Sequence, residues 1–333
     1  MGTPRSDFPE FPEPYPVEGS LAPDEPAYVP RLGSPPLRRE RSWRHIVLFL
    51  LTIVTTTYVG GFHYAAFAEG FDASRSAIAP SMLLLNGLWY SLSILAILGA
   101  HEFGHYYACR YYRVDASLPY FLPAPLPLTG TLGAFIRIRQ QIPSKRELFD
   151  IGIAGPIAGF IVAVPVLLLG MTLSRVDALP ANSSNMVELG EPLLFKAVAY
   201  LVFGHIPDGY SINMHPMGFA AWFGLLATAL NLFPIGQLDG GHISYAVLGR
   251  KSTVVTLVTV ACLVGLSFLS SSWIVWTVLT VMMLLAFGPR HPRTYDEEVP
   301  LDPARLALAA FAAVMFVLCF TPAPISPFQL LER

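Results

Sequence analysis

The chain has 333 residues, of which 53% are hydrophobic and 13% charged, and its mean hydropathy is +0.52. This composition is too apolar for an ordinary soluble domain and indicates a membrane protein. The formal net charge of −2, without a basic stripe interleaved with aromatic residues, points away from nucleic acid as a partner.

Residues 1–43 form the first predicted segment, which is rich in Pro, Glu, Ser and Gly and poor in aliphatic residues. Such a composition buries too little apolar surface to offset the entropy of ordering, so we predict a disordered cytoplasmic tail. No cleavable signal peptide is expected before it. The remaining residues, 44–333, are predicted to form one polytopic membrane domain.

Seven apolar stretches in that domain have about the length a helix needs to cross a bilayer. They are His45–Phe67, Met82–His105, Ile151–Thr172, His215–Phe233, Thr253–Leu269, Trp273–Phe287 and Leu306–Phe320. Arginines cluster before the first stretch, and further basic residues lie in alternate loops. The positive-inside rule therefore places the amino terminus in the cytoplasm. The predicted fold is an all-α polytopic membrane protein with about seven transmembrane helices.

The connection between the second and third stretches differs from the other loops. Residues 114–148 contain many prolines, a Gly-Thr-Leu-Gly turn at 130–133, and alternating apolar and charged residues at 135–139. The alternation predicts a small membrane-associated β-hairpin, with a plain connecting loop as the alternative. Farther along, residues 192–203 are apolar but too short to span, and we interpret them as interfacial or re-entrant.

The second stretch carries His101-Glu102-Phe103-Gly104-His105, which matches the pattern H-E-x-x-H. Histidines at positions i and i+4 lie on one face of a helix, so both imidazoles can bind one zinc ion. Glu102 lies beside them and can act as general base toward a water on that ion. Ionisable groups inside a membrane span are costly and usually functional. A polar packing cluster between helices is the alternative interpretation.

A catalytic zinc ion needs a third protein ligand, and the residues after His105 offer none at the usual spacings. Asp239 is the candidate, in a Leu-Asp-Gly sequence that we place at the inner end of the fourth stretch. His242 is the rival ligand, and a helix-capping role for the aspartate is a further alternative. Three glycines near the start of the third stretch predict close helix packing there: Gly152, Gly155 and Gly159.

The HEFGH motif in an early span, together with Asn231-x-x-Pro234-x-x-x-Leu238-Asp239-Gly240 in a later one, resembles the site-2 protease family of intramembrane metalloproteases. The resemblance covers roughly residues 82–250, the expected catalytic core. It implies cleavage of a substrate's transmembrane helix after that helix unwinds, and we expect neither a PDZ insertion nor a CBS domain. The implied roles are zinc binding by His101, His105 and Asp239, base catalysis by Glu102, and substrate or oxyanion binding by Asn231.

Asn231 also has a simpler interpretation, as a polar residue that ends a helix ahead of Pro234. Both interpretations of Asn231 stay open at this point.

The sequence therefore predicts an intramembrane zinc metalloprotease with one Zn²⁺ per chain. We expect a multi-pass protein of the bacterial inner membrane that cuts single-span membrane-protein substrates within the lipid bilayer. A membrane zinc transporter that uses the same residues as a transit site is the alternative from another class. A pseudoprotease that binds membrane proteins without cutting them is the third. The substrate's identity, the oligomeric state and the role of the Pro-rich tail do not follow from the sequence.

Overall fold

The computed structural model describes residues 42–71, 79–180, 187–288 and 291–327. The tail predicted over residues 1–43 lies outside these ranges except for its last two residues. Within the described ranges the chain forms nine α-helices. They are α1 (Trp43–Glu69), α2 (Pro80–Tyr111), α3 (Lys145–Leu173), α4 (Leu193–Phe203), α5 (Pro216–Asn231), α6 (Asp239–Leu248), α7 (Ser252–Leu269), α8 (Ser272–Phe287) and α9 (Pro303–Cys319).

Short strands in the same ranges form three antiparallel pairs, β1 with β2, β3 with β5, and β4 with β6. The strands are β1 (Tyr120–Pro123), β2 (Thr131–Phe135), β3 (Arg175–Ala178), β4 (Val187–Leu189), β5 (Tyr210–Asn213) and β6 (Ile325–Pro327). A single 3-10 turn, Gly249–Lys251, joins α6 to α7.

Four helical runs have the length and apolar composition to cross a membrane: α1, α2, α3 and the run Asp239–Leu269 that combines α6 with α7. Helices α4, α8 and α9 are apolar but shorter. Helix α5 has 16 residues, about 24 Å at 1.5 Å per residue, which is less than the roughly 30 Å of a hydrocarbon core. The chain is thus a helical membrane protein with several spanning helices, and the count of seven spans stays a prediction.

Helices α2 and α3 each extend six residues past a predicted bound, and one motif moves to a different element. Helix α2 continues six residues beyond the predicted end at His105, so HEFGH lies inside a helix. Helix α3 begins at Lys145 because the Ser144 hydroxyl accepts a hydrogen bond from the Arg146 backbone N–H. The prediction that Leu-Asp-Gly lies at the end of the fourth stretch is wrong, because α5 ends at Asn231 and Asp239 begins α6.

Proline explains why the two helices separate there. Helix α5 stops at Asn231, three residues before Pro234, and proline removes a backbone donor and clashes with a preceding helical turn. The segment between α5 and α6 turns so tightly that a Cβ on Gly240 would lie 2.0 Å from the Leu232 carbonyl oxygen. Asp239 is therefore carried by a new helix with its own direction.

The main apolar core lies between α2, α3 and α5, where Trp222, Leu225 and Leu167 are completely buried. Small residues bring these helices close together. A Cβ at Gly104 of α2 would lie 2.5 Å from the Ala154 carbonyl oxygen of α3. This close packing of α2 on α3 is what positions the site described below.

The chain between α2 and α3 forms a hairpin, residues 116–138, that lies along α1. At its base, the His45 Nδ1–H of α1 donates to the Pro119 carbonyl oxygen at 3.1 Å. At its tip, the His63 Nε2–H donates to the Leu128 carbonyl oxygen at 3.0 Å. The two histidines are separated by about 27 Å of helix, close to the thickness of a hydrocarbon core.

A β-hairpin was predicted in this region, and its second strand, Thr131–Phe135, ends where the alternating residues 135–139 begin. The alternating residues therefore lie mostly after β2, where the chain leaves the hairpin. There Ala116 forms an antiparallel bridge with Ile138. The association of the hairpin with the membrane stays a prediction.

Candidate metal centre

Helix α2 presents His101 and His105, both buried, one turn apart on the same face. The His105 Nδ1–H donates to the Ile151 carbonyl oxygen of α3 at 2.7 Å, since a carbonyl can only accept. In the neutral ring this leaves a lone pair on Nε2, and a backbone carbonyl is a typical partner for a metal-binding histidine. The Nε2 atoms of the two histidines lie 3.1 Å apart.

Asp239 reaches the two histidines from the first residue of α6. Its Oδ2 lies 3.2 Å from His101 Nε2, and its Oδ1 lies 3.3 Å from His105 Nε2. A tetrahedral zinc ion with bonds of about 2.0–2.1 Å keeps its ligand atoms about 3.3 Å apart. The three side chains therefore fit three corners of a zinc site and leave the fourth corner open. The structure thus brings together the three residues predicted as ligands.

Helix α3 accommodates the histidines because it carries glycines where they approach. A Cβ on Gly155 would lie 2.1 Å from His105 Nε2, and one on Gly159 would lie 3.1 Å from His101 Cβ. The sequence predicted close packing at these glycines. It did not show that the packing partners would be the candidate metal ligands themselves.

Replacing Gly155 by alanine is expected to empty the metal site, because the new methyl group would occupy the position of the His105 ring nitrogen. We expect bound zinc to fall from about one to below about a tenth of an ion per chain, as for loss of a ligand. Inductively coupled plasma mass spectrometry on purified protein measures this. The matched control is Gly99→Ala on α2, where an added Cβ has only the Phe121 ring nearby, at 3.8 Å. Full zinc in Gly155→Ala would show that the observed packing is wrong.

Glu102 is buried on α2 next to the ligands. The backbone of Ile136, one residue after β2 ends, lies near its carboxyl group. Sequence reasoning missed Ile136, because a backbone contact leaves no mark in residue type. Only its position directly after a predicted turn and strand could have suggested it.

Asn231 is the last residue of α5, and its Nδ2 lies 3.3 Å from His101 Nε2. The structure therefore places it at the edge of the candidate metal centre. It also ends a helix ahead of Pro234, and its role toward a substrate stays a prediction.

Comparisons with known proteins agree with this geometry. Residues 89–271, more than half of the chain, match the family model described as "Peptidase family M50". The chain belongs to this family. The predicted resemblance to the site-2 proteases is thereby confirmed.

Several relatives of this M50 family member are described as probable zinc metalloproteases. "Probable zinc metalloprotease EGY2, chloroplastic" of Oryza sativa subsp. indica is 32% identical over 255 residues, 75% of this chain and 46% of that protein. Its Arabidopsis thaliana counterpart is 30% identical over 250 residues, 75% of this chain and 44% of that protein. "Probable zinc metalloprotease EGY1, chloroplastic" of Arabidopsis thaliana is 26% identical over 299 residues, 84% of this chain and 53% of that protein. The chain thus spans about half the length of these curated relatives.

His242, the rival third ligand, stays outside the ligand cluster of this M50 family member. Among described residues, the close cluster of metal-binding atoms contains His101, His105 and Asp239. His242 Nδ1 instead lies 2.7 Å from His291 Nε2, and the His291 Nδ1–H donates to the Pro292 carbonyl oxygen at 2.7 Å.

The protonation of His291 determines how His242 is held. Burial lowers the pKa of His291 below its ordinary value, so the ring is neutral near pH 7. Its Nε2 then accepts a hydrogen bond from the His242 Nδ1–H. The chain between α8 and α9 thereby orients His242 beside the metal centre.

Polar contacts at one end of the bundle hold α2 against α3. The Asp150 carboxylate of α3 accepts hydrogen bonds from the Tyr112 hydroxyl, just past α2, and from the Arg305 guanidinium of α9. Burial, followed by the contact with Asp150, raises the pKa of Tyr112 to about 12, so this hydroxyl stays a donor at physiological pH. Asp150 thus connects the helix that carries the histidines to the helix that carries the glycines.

Proposed function

We propose that this chain is a zinc metalloprotease that hydrolyses peptide bonds of single-span membrane proteins within the bilayer. The observation that carries the proposal is the buried His101, His105 and Asp239 triangle, with 3.1–3.3 Å between its ligand atoms and a buried carboxylate beside it. Relatives described as zinc metalloproteases support zinc as the ion.

Each residue at the site has a distinct task in hydrolysis. His101, His105 and Asp239 would hold a zinc ion, which when bound would supply Lewis acidity toward a water molecule and the scissile carbonyl. Glu102 takes a proton from the attacking water and passes it to the leaving amine. Asn231, at the edge of the ligand triangle, donates from its Nδ2 to the developing oxyanion.

The hairpin offers a way to hold an unwound substrate next to Glu102. Strand β1 pairs with one edge of β2, and no described strand pairs with the other edge. An extended peptide can add to such an edge through backbone hydrogen bonds. In a bilayer those bonds are favoured because no water competes for the backbone groups. Strand β2 contacts α2, the helix that carries Glu102, so a substrate paired with β2 would lie near the base.

A membrane zinc transporter is the second candidate, because histidine and aspartate ligands on membrane-length helices also suit a transit site. Transport needs no general base, so a transporter would tolerate the loss of Glu102. The buried Glu102 carboxylate beside the ligands favours the protease.

We further propose the bacterial inner membrane as the location, with the amino terminus in the cytoplasm. The basic residues before α1 support this orientation through the positive-inside rule. The curated relatives are described as chloroplastic, which is a property of those proteins.

Membrane proteomics of host cells tests the proposed function and identifies substrates. Cells that carry Glu102→Gln should accumulate single-span membrane proteins, or their trimmed fragments, that wild-type cells clear. The matched strain carries Glu298→Gln, a change at an exposed glutamate, and it should resemble wild type. Identical membrane proteomes in the Glu102→Gln and wild-type strains would count against the protease.

A further inference from the structure

The segment that leads into α9, residues 291–298, contacts both α3 and α6, and we call it the strap. At α3, the Asp296 carboxylate accepts hydrogen bonds from the Ser144 hydroxyl at 2.9 Å and from the Lys145 backbone N–H at 2.7 Å. Ser144 is the N-cap of α3, and a carboxylate at a helix N-terminus is stabilised by the unpaired backbone donors there. The strap is therefore fixed to the start of α3.

The strap contacts α6 through one buried tyrosine, Tyr245. The Tyr245 hydroxyl donates to the Glu297 carboxylate at 3.3 Å and accepts a hydrogen bond from the Thr294 backbone N–H at 3.2 Å. The ring of His291 stacks on the ring of Tyr245, with centroids 4.4 Å apart and planes 18° from parallel. Tyr245 is only 2% exposed, so groups of the strap satisfy its hydroxyl in place of solvent.

Helix α6 also touches α3 midway between Tyr245 and Asp239. A Cβ on Gly152 of α3 would lie 3.0 Å from His242 Cβ, so the two helices are in close contact at this point. His242 is three residues from Asp239 and three from Tyr245, about 4.5 Å along the helix axis in each direction. A tilt of α6 about this contact would therefore move Asp239 and Tyr245 by similar amounts.

The position of Asp239 matters because its two oxygens complete the ligand triangle. They lie 3.2 Å from His101 Nε2 and 3.3 Å from His105 Nε2. Distances in a metal site are defined to within about 0.2 Å. A shift of the Asp239 backbone by more than this would weaken the third bond to the ion, so the direction of α6 determines how well the triangle binds zinc.

We propose that Tyr245 and Glu297 are positioning residues for Asp239, acting through α6, an inference that rests on the zinc site of the proposed function. The strap joins α6 to the start of α3, and α3 carries the glycines on which His101 and His105 pack. It thereby holds the aspartate ligand in place relative to the two histidine ligands. Without these hydrogen bonds, α6 can tilt about its contact with α3.

The test removes hydrogen bonds of the strap without changing the ligands. Tyr245→Phe deletes the hydroxyl and keeps the ring that stacks on His291. Glu297→Leu deletes the acceptor, whereas Glu297→Gln keeps an oxygen that can accept from the tyrosine. Glutamine gives up the ion pair with Arg250, whose side chain is 71% exposed, and such pairs contribute little. Tyr295→Phe is the matched control, because Tyr295 is an exposed tyrosine of the strap.

Two measurements are made on the full-length protein in lipid nanodiscs. The first is zinc affinity, from competition with a chromophoric chelator. The second is the visible absorption spectrum of the Co²⁺-loaded protein, whose bands report the ligands around the ion. Both are repeated for Tyr245→Phe in an Asp239→Ala background. A general loss of stability would lower zinc affinity in both backgrounds, whereas a positioning role acts only where Asp239 is present.

Tyr245→Phe and Glu297→Leu should each weaken zinc binding about tenfold, the effect of losing one hydrogen bond to a charged group, and should alter the Co²⁺ bands. Glu297→Gln and Tyr295→Phe should match wild type. In the Asp239→Ala background, Tyr245→Phe should change nothing further.

Wild-type affinity in both Tyr245→Phe and Glu297→Leu would overturn the proposal and leave the tight turn before α6 as the feature that positions Asp239. An equal tenfold loss in the Asp239→Ala background would also overturn it. Wild-type affinity in Asp239→Ala itself would overturn the zinc site and this inference with it. Neither measurement needs cleavage, so failure of the strap variants alone leaves the proposed function intact.

Discussion

Replacing Glu102 by glutamine is expected to stop cleavage while the protein keeps its zinc. Glutamine matches glutamate in shape, but it cannot take up a proton at neutral pH. General bases contribute about 10²- to 10⁴-fold to rate, so kcat should fall at least about 100-fold. The measurement is cleavage of a substrate identified by the membrane proteomics, with zinc quantified in the same preparation.

The control for Glu102→Gln is Glu298→Gln, which changes an exposed carboxylate far along the chain and should cut at the normal rate. Wild-type turnover in Glu102→Gln would remove Glu102 as the base. Loss of zinc from that variant would show instead that the carboxylate helps to hold the ion.

Replacing Asp239 by alanine should remove zinc as completely as His101→Ala does. The two histidines alone leave a site with two protein ligands, whereas catalytic zinc sites have three. We expect less than about a tenth of a zinc ion per chain in either variant after dialysis against a mild chelator, because two ligands hold zinc weakly. Cleavage should be lost in parallel.

His242→Ala is the matched control for Asp239→Ala, because it removes the rival ligand from the same helix. His242 is hydrogen-bonded to His291 and lies outside the ligand triangle, so this variant should retain its zinc. Retention of zinc by Asp239→Ala together with its loss from His242→Ala would exchange the roles of the two residues.

The ligand set was predictable because its chemistry resides in residue types. His101 and His105 stand at helical spacing inside an apolar stretch, and Asp239 is a carboxylate that such a stretch would otherwise exclude. Choosing Asp239 over His242 needed the family resemblance as well, since both residues lie near the start of one helix. The structure distinguishes them because α6 directs only Asp239 at the two imidazoles.

The course of the chain around Asp239 was harder to predict. The predicted topology places Arg250 and Lys251 in a loop, whereas the structure continues through a 3-10 turn from α6 into α7. Charged residues are common in loops, and local composition does not show that a helix axis carries on past them. The sequence also predicts Leu-Asp-Gly at the end of the fourth stretch, whereas Asp239 begins the helix α6.

Contacts made by backbone groups were beyond sequence reasoning. The partners of His63 and Tyr90 are backbone carbonyl oxygens 65 and 39 residues away. Every residue type supplies the same backbone groups, so no pattern indicates such contacts. Gly155 was predicted only as a site of close packing, because a missing side chain does not reveal what fills its place.

Reconstitution of the purified chain into sealed lipid vesicles, with one tagged single-span substrate, tests the central claim most directly. Mass spectrometry locates any cut in the substrate, and a zinc-sensitive dye inside the vesicles reports uptake. Wild-type protein is predicted to cut the substrate within its transmembrane segment without carrying zinc inward, and Glu102→Gln should do neither. An intact substrate together with zinc uptake that disappears in His101→Ala would contradict the protease and establish a transporter.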